Sequence, residues 1–206
     1  GWIRWMLEQA FPTPFEVVYP PTLDAGNLNE KFDVIVFPDG AIPQPGGGGP
    51  AGFGGFGGQP PADVPDEYRD RLGSVTVEKT VPQLRRFLEN GGAIVAIGGS
   101  SALARHLNLP VHDHLAERQP DGSERRLGSE KYYVPGSVLH AAVDTSQPLA
   151  WGLGSTVDFF FDNSPVFRLM PNAGLKGVRP VAWFDSAAPL KSGWAWGQAY
   201  LQGGTA

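Results

Sequence analysis

The 206-residue sequence predicts an α/β fold, a doubly wound and mostly parallel sheet with a β-rich second half, and three observations point to it. Asp33-Val34-Ile35-Val36-Phe37-Pro38 and Ala93-Ile94-Val95-Ala96-Ile97 are short, continuous apolar runs, the pattern of strands covered on both faces. Between them Thr80 to Asn90 carries Leu84, Phe87 and Leu88 at helical spacing, with Pro82 in the first turn and Gly91 as the C-terminal stop. Beyond residue 130 the pattern turns to strands.

Each element follows in order. Trp2-Ile3-Arg4-Trp5-Met6-Leu7-Glu8 reads as a helix with Ile3, Met6 and Leu7 on one stripe, expected to bury that stripe against a sheet. Phe15 to Tyr19 reads as a strand, and Asp33 to Pro38 as a second, central one. From about 43 to 65 Gly and Pro dominate, with Phe53 and Phe56 as the large apolar side chains, so this stretch is expected to be a long mobile loop. After the second apolar run, Gly98-Gly99-Ser100-Ser101 makes a sharp turn into a short helix through Ala102, Leu103 and His106. Strands are expected at Tyr132–Val134, Val138–Val143, Val157–Phe161, Val166–Leu169 and Val178–Asp185. Residues 1–206 are expected to form a single domain, and both ends read as cut, with flanking strands missing. Such unpaired sheet edges would favour self-association, so a homo-oligomer is one expected partner state.

Composition narrows the function classes. A net charge of −5 without a run of Lys or Arg argues against nucleic-acid binding, and no apolar stretch is long enough to span a bilayer. The absence of Cys removes disulfides, thiolate zinc sites and a thiol nucleophile at the Gly98-Gly99 turn.

Several constellations are candidates for chemistry. Gly98-Gly99-Ser100-Ser101-Ala102 approximates the G-x-S-x-G elbow, and Ser100 followed by Asp113 or Asp121 and then His140 gives the chain order of a serine hydrolase. The simpler reading is that Ser100 or Ser101 caps the next helix. His114-Leu115-Ala116-Glu117 matches the H-x-x-E pair of zinc carboxypeptidases, but catalytic zinc needs a third protein ligand and a base, and solvated side chains are the simpler reading. Asp39, Asp162 and Asp185 each follow an apolar strand. They are candidates for ligand binding at the carboxyl edge of the sheet, against the simpler role of turn residues. Trp194 and Trp196, two apart, would share one face as a sugar platform or protein contact, with core packing the preferred expectation.

The order and spacing of Trp2 to Glu8, Phe32 to Pro38, Leu84 to Gly92, Pro135-Gly136-Ser137-Val138-Leu139, Pro148-Leu149-Ala150-Trp151-Gly152 and Phe161 to Phe167 carry a resemblance over nearly the whole chain. It resembles the class I glutamine amidotransferase-like domain that follows the catalytic domain in bacterial zinc carboxypeptidase-like proteins. The resemblance implies a flavodoxin-like accessory domain, structural or substrate-directing for peptides or peptidoglycan-like material, in an exported protein whose peptidase domain is its partner. Zinc would belong to that peptidase domain, with no cofactor in this chain. Gly98, Gly99 or Ser100 stands where true amidotransferases carry Cys, so their activity is not implied. The chain by itself is expected not to be catalytic, the alternative being a stand-alone serine hydrolase using Ser100.

Overall fold

The computed structural model describes residues 1–45 and 64–206, so most of the expected loop at 43–65 lies outside the described residues. Where the sequence suggests one domain, contacts divide the chain into two compact units, Gly1–Leu107 and Asn108–Ala206.

The first unit opens with α1 (Trp2–Trp5), which runs into a π-helical turn over Met6–Ala10, and α2 (Pro20–Ala25) follows. β1 (Val34–Phe37), α3 (Thr80–Glu89), β2 (Ala93–Ala96) and α4 (Leu103–His106) complete it. β1 and β2 pair in parallel with Ile35 opposite Ile94 and Phe37 opposite Ala96, so the long connection through α3 makes a β–α–β unit. Alternation then splits the strand. Ile35 and Phe37 face a core that includes Leu23, Leu28, Ile42, Leu84, Phe87 and Leu103, whereas Val34, Val36 and Val95 face solvent. α3 ends as expected: Gly91 takes φ +91°, where a side chain would be strained, and Gly92 lies so close to the Phe87 ring that a Cβ would collide with it.

The second unit is built from antiparallel ladders. β3 (Val111–Asp113) pairs with β8 (Phe167–Leu169), and β4 (Ala116–Arg118) with β5 (Glu124–Arg126). The longest strand, β6 (Pro135–Val143), pairs with β7 (Thr156–Asp162) on one side and with β9 (Ala182–Trp183) and β10 (Leu190–Ser192). Its alternation is strict: Ser137, Leu139, Ala141 and Val143 are buried while the intervening residues are half-buried. Leu115, Tyr132, Val134, Phe161, Val166, Phe184 and Leu201 join Leu139 in the core, where Phe159, Phe161 and Phe184 form a three-ring cluster with centroids 5.9–6.4 Å apart.

The α/β character is therefore present, but among the described residues parallel pairing is confined to β1 and β2 and the other ladders are antiparallel. Three expectations change. Phe15–Tyr19 is not a strand; Pro14 precedes it, Pro20 opens α2 directly after it, and Phe15 and Val17 are exposed. Among the described residues β1 is covered on one face only. The first helix exposes Trp2, Trp5 and Met6, with Trp2 edge-on to Trp5 at 6.1 Å, and buries no residue.

Candidate functional site

The elbow after β2 forms as a tight turn: Gly98 at φ +55° starts a 3-10 turn that runs into α4. Asp39, leaving β1, accepts from the Gly99 N–H at 2.5 Å, and a Cβ on Gly98 would reach 2.5 Å from the same carboxylate oxygen. Ser100 is fully buried. Its Oγ donates to the Pro38 carbonyl at 2.5 Å and accepts from the N–H groups of Ala41 and Ile42 at 2.9 and 3.3 Å. The hydroxyl thus neither faces a base nor caps α4. It pins the turn after β1 to the elbow, and Ser101 bonds back to the Gly98 carbonyl at 2.7 Å. His106, the histidine of this unit, uses Nε2 on the Pro43 carbonyl at 2.7 Å.

In the second unit the two tryptophans depart from the preferred expectation of core packing: Trp194 is 55% and Trp196 54% exposed. The cause is local. Gly193 at φ +100° turns the chain after β10, Ala195 faces the core, and period-two alternation sends both indoles outward. Buried Ser137 donates to the Trp194 carbonyl at 2.6 Å and accepts from its N–H at 2.9 Å. Trp196 exchanges both backbone hydrogen bonds with Tyr133 at 3.0 Å, and its indole N–H donates to the Glu130 carbonyl at 2.9 Å. Tyr133, also exposed, meets Trp194 edge-on at 5.9 Å. The main chain under all three rings is therefore hydrogen-bonded, and the Trp196 ring is itself tied to the backbone. Beside them Lys131 binds Glu117 at 2.7 Å, which raises the Lys131 pKa, and Tyr200 and Glu130 are close enough to add to that field.

The remaining candidates are engaged elsewhere. His140 pairs across the β6·β7 ladder with Asp158, Nδ1 to Oδ1 at 2.5 Å. Asp113 accepts from the Leu115 N–H, and Asp121 from the N–H and hydroxyl of Ser123, which lower its pKa, so both are turn carboxylates. His114 turns Nε2 to the Gln202 carbonyl at 3.1 Å while Glu117 is held by Lys131, so this donor pair does not fit zinc. No group of three or more His, Cys, Asp or Glu side chains that could hold a metal occurs among the described residues. Asp39, Asp162 and Asp185 do not share one sheet edge. Asp39 leaves the parallel pair, Asp162 ends β7 opposite Pro135, and Asp185 follows β9, whose Trp183 pairs near the other end of β6 with Ala142.

No protein-family model, curated protein or solved structure matches the chain. Sequence reasoning missed Tyr133 and Ser137 as parts of the aromatic site. The Tyr132-Tyr133-Val134 alternation, with its middle residue outward, was the available signal for the first. Nothing local marks Ser137, whose partner lies 57 residues away.

Proposed function

We propose that this chain is a non-catalytic accessory module of an exported zinc carboxypeptidase-like protein, and that it directs peptidoglycan-like material to the peptidase domain by stacking it on Tyr133, Trp194 and Trp196. The finer fold assignment, a flavodoxin-like and amidotransferase-like ancestry, belongs to the same reading and is supported by the β1–α3–β2 unit and its Gly-rich elbow. The observation that carries the function is the pre-set aromatic face: flat apolar rings held by backbone and indole hydrogen bonds, rimmed by the donors and acceptors of Lys131 and Glu117. Amphipathic rings of this kind suit a ligand with both apolar and hydroxyl-bearing surfaces and lose little side-chain entropy on binding.

The alternative, a stand-alone serine hydrolase using Ser100 with His140, gains no support from the geometry. Ser100 Oγ would first have to give up three backbone hydrogen bonds. Two assays test the proposal together. The chain should co-sediment with insoluble peptidoglycan, and Trp194→Ala with Trp196→Ala should reduce binding at least about tenfold, since truncating an aromatic hot spot costs about 2 kcal/mol or more. Equal sedimentation of the double variant would overturn the binding reading. Ester turnover abolished by Ser100→Ala would install the hydrolase instead.

A further inference from the structure

A second cluster lies in the same unit, built by the β3·β8 and β4·β5 ladders. The β3·β8 register sets His112 opposite Arg168, and the β4·β5 register sets Arg118 opposite Glu124. Side chains directly opposite on an antiparallel pair stand on the same face. Glu124 joins the two pairs: it accepts from Arg168 Nη2 at 3.2 Å and lies 3.4 Å from His112 Nδ1. These four side chains, with the small residues Ala116 and Gly122, line a cleft of about 600 Å³.

The charges in the cleft do not balance. Two guanidinium groups face one carboxylate, and a protonated His112 would add to the excess. A guanidinium carries five N–H donors. Arg168 gives one to Glu124, and Arg118 donates no hydrogen bond to the described residues. What would complete the cluster is an acceptor-only, negatively charged group, for which the planar fork of Arg has the right shape. The volume falls within the roughly 300–1,000 Å³ of ordinary small-ligand sites. An overall charge of −5 supplies no long-range attraction for anions, so the selectivity must be local.

We infer that the cleft between these ladders is a binding site for an oxyanion-bearing ligand, a carboxylate or a phosphate, gripped by Arg118 and Arg168 with Glu124 holding Arg168 in place. The inference is independent of the aromatic face, since Tyr133, Trp194 and Trp196 do not line the cleft.

Calorimetric titration of the whole chain with inorganic phosphate and, separately, with succinate tests it. At least one should bind saturably. Saturation by phosphate alone identifies a phosphate-bearing ligand, by succinate alone a carboxylate-bearing one, and by both the shared oxyanion chemistry. Arg118→Met removes no internal hydrogen bond and should fold normally, yet weaken binding about tenfold or more, as loss of a charge-assisted contact requires. Arg168→Met should do the same. Arg126→Met, whose guanidinium donates to the Asn163 carbonyl and does not line the cleft, should leave affinity within about twofold. Absence of saturable binding with both anions, or undiminished binding by Arg118→Met, would overturn the inference.

Discussion

Each unit covers one face of a sheet and leaves the other open, and the two open faces are chemically different. On the β6·β7 ladder the outward positions mix the His140–Asp158 pair and Thr156 with apolar Ala142, Val138 and Phe160, the last 70% exposed. On the β1·β2 pair they are Val34, Val36 and Val95, followed by Ile97. Antiparallel sheets commonly carry a polar face for water, whereas parallel strands are written apolar on both faces because both are normally covered. The second unit therefore sets charged side chains among apolar ones on its open face. The first carries the composition of a doubly covered strand with a single cover. In the same way, buried serines pin both units, but Ser100 anchors a turn inside the first whereas Ser137 anchors the exposed Trp194 of the second.

The largest expected effect lies at Gly197, next to the aromatic face. It adopts φ +69°, and a Cβ there would collide with the Lys131 carbonyl oxygen, which is backbone and cannot swing away. Gly197→Ala should cost more than about 3 kcal/mol, combining left-handed strain with a steric clash. Gly177→Ala, at φ +78° but facing open space, should cost only about 1 kcal/mol. Amide hydrogen exchange read separately over residues 1–107 and 108–206 should show the Gly197 loss in the second unit. Equal costs for the two variants would remove the argument that backbone packing presets the rings.

The two faces of β1 give the next contrast. Ile35→Ala, on the covered face, should cost about 3 kcal/mol through the cavity left beside α3. Val36→Ala, one residue away and 41% exposed, should stay below about 1 kcal/mol in urea unfolding. A comparable loss at Val36 would mean that the open face is covered in solution, and would break the comparison between the two sheets.

What the sequence made legible follows from range. α3 could be placed because Leu84, Phe87, Pro82 and Gly91 signal within one local window, and β6, β7 and the elbow turn for similar reasons. The strands β3, β4, β5 and β10 escaped because each has three residues with at most one large apolar side chain, whereas the equally short β8 keeps Phe167 and Leu169. Partners were the greater difficulty. Apolar strands look alike whether one or both faces are covered, so β1 read as central. A serine poised at an elbow reads as a nucleophile or a cap until Pro38, Ala41 and Ile42 are seen around it. The tryptophans were found, but their direction depends on Gly193, Ser137 and Glu130, which no local rule ties to them.

The pinning serines sharpen this point at a smaller scale. Ser100→Ala should cost about 2 kcal/mol, because it strands the Ile42 N–H and leaves the Ala41 N–H and the Pro38 carbonyl with only their 3.3 Å bond to each other around a fully buried site. Ser137→Ala should cost nearer 1 kcal/mol, since the backbone of exposed Trp194 can turn to water. The second variant should also weaken peptidoglycan co-sedimentation, whereas the first should leave it unchanged where the protein remains folded. The reverse order of stability losses would contradict the assignment of Ser100 as the more deeply committed pin.

The smallest effect concerns a defect in the second core. Tyr132 is buried among Val134, Phe161 and Leu201, and its hydroxyl finds no hydrogen-bond partner. Burial raises its pKa above the ordinary tyrosine value of about 10, because the phenolate would be poorly solvated there. The sign follows directly. Above about pH 10 the unfolded chain releases this proton while the folded chain keeps it, so the folded state binds more protons and stability falls as pH rises. Tyr132→Phe removes the orphaned hydroxyl without changing the ring, and should raise stability at neutral pH by up to about 1 kcal/mol. It should also flatten the decline between about pH 10 and 11. Urea unfolding of both proteins at pH 7 and pH 10.5 measures the two effects separately. A loss of stability at pH 7 would show that the hydroxyl has a partner in solution, and an unchanged alkaline slope would show that Tyr132 ionises as readily in the fold as outside it.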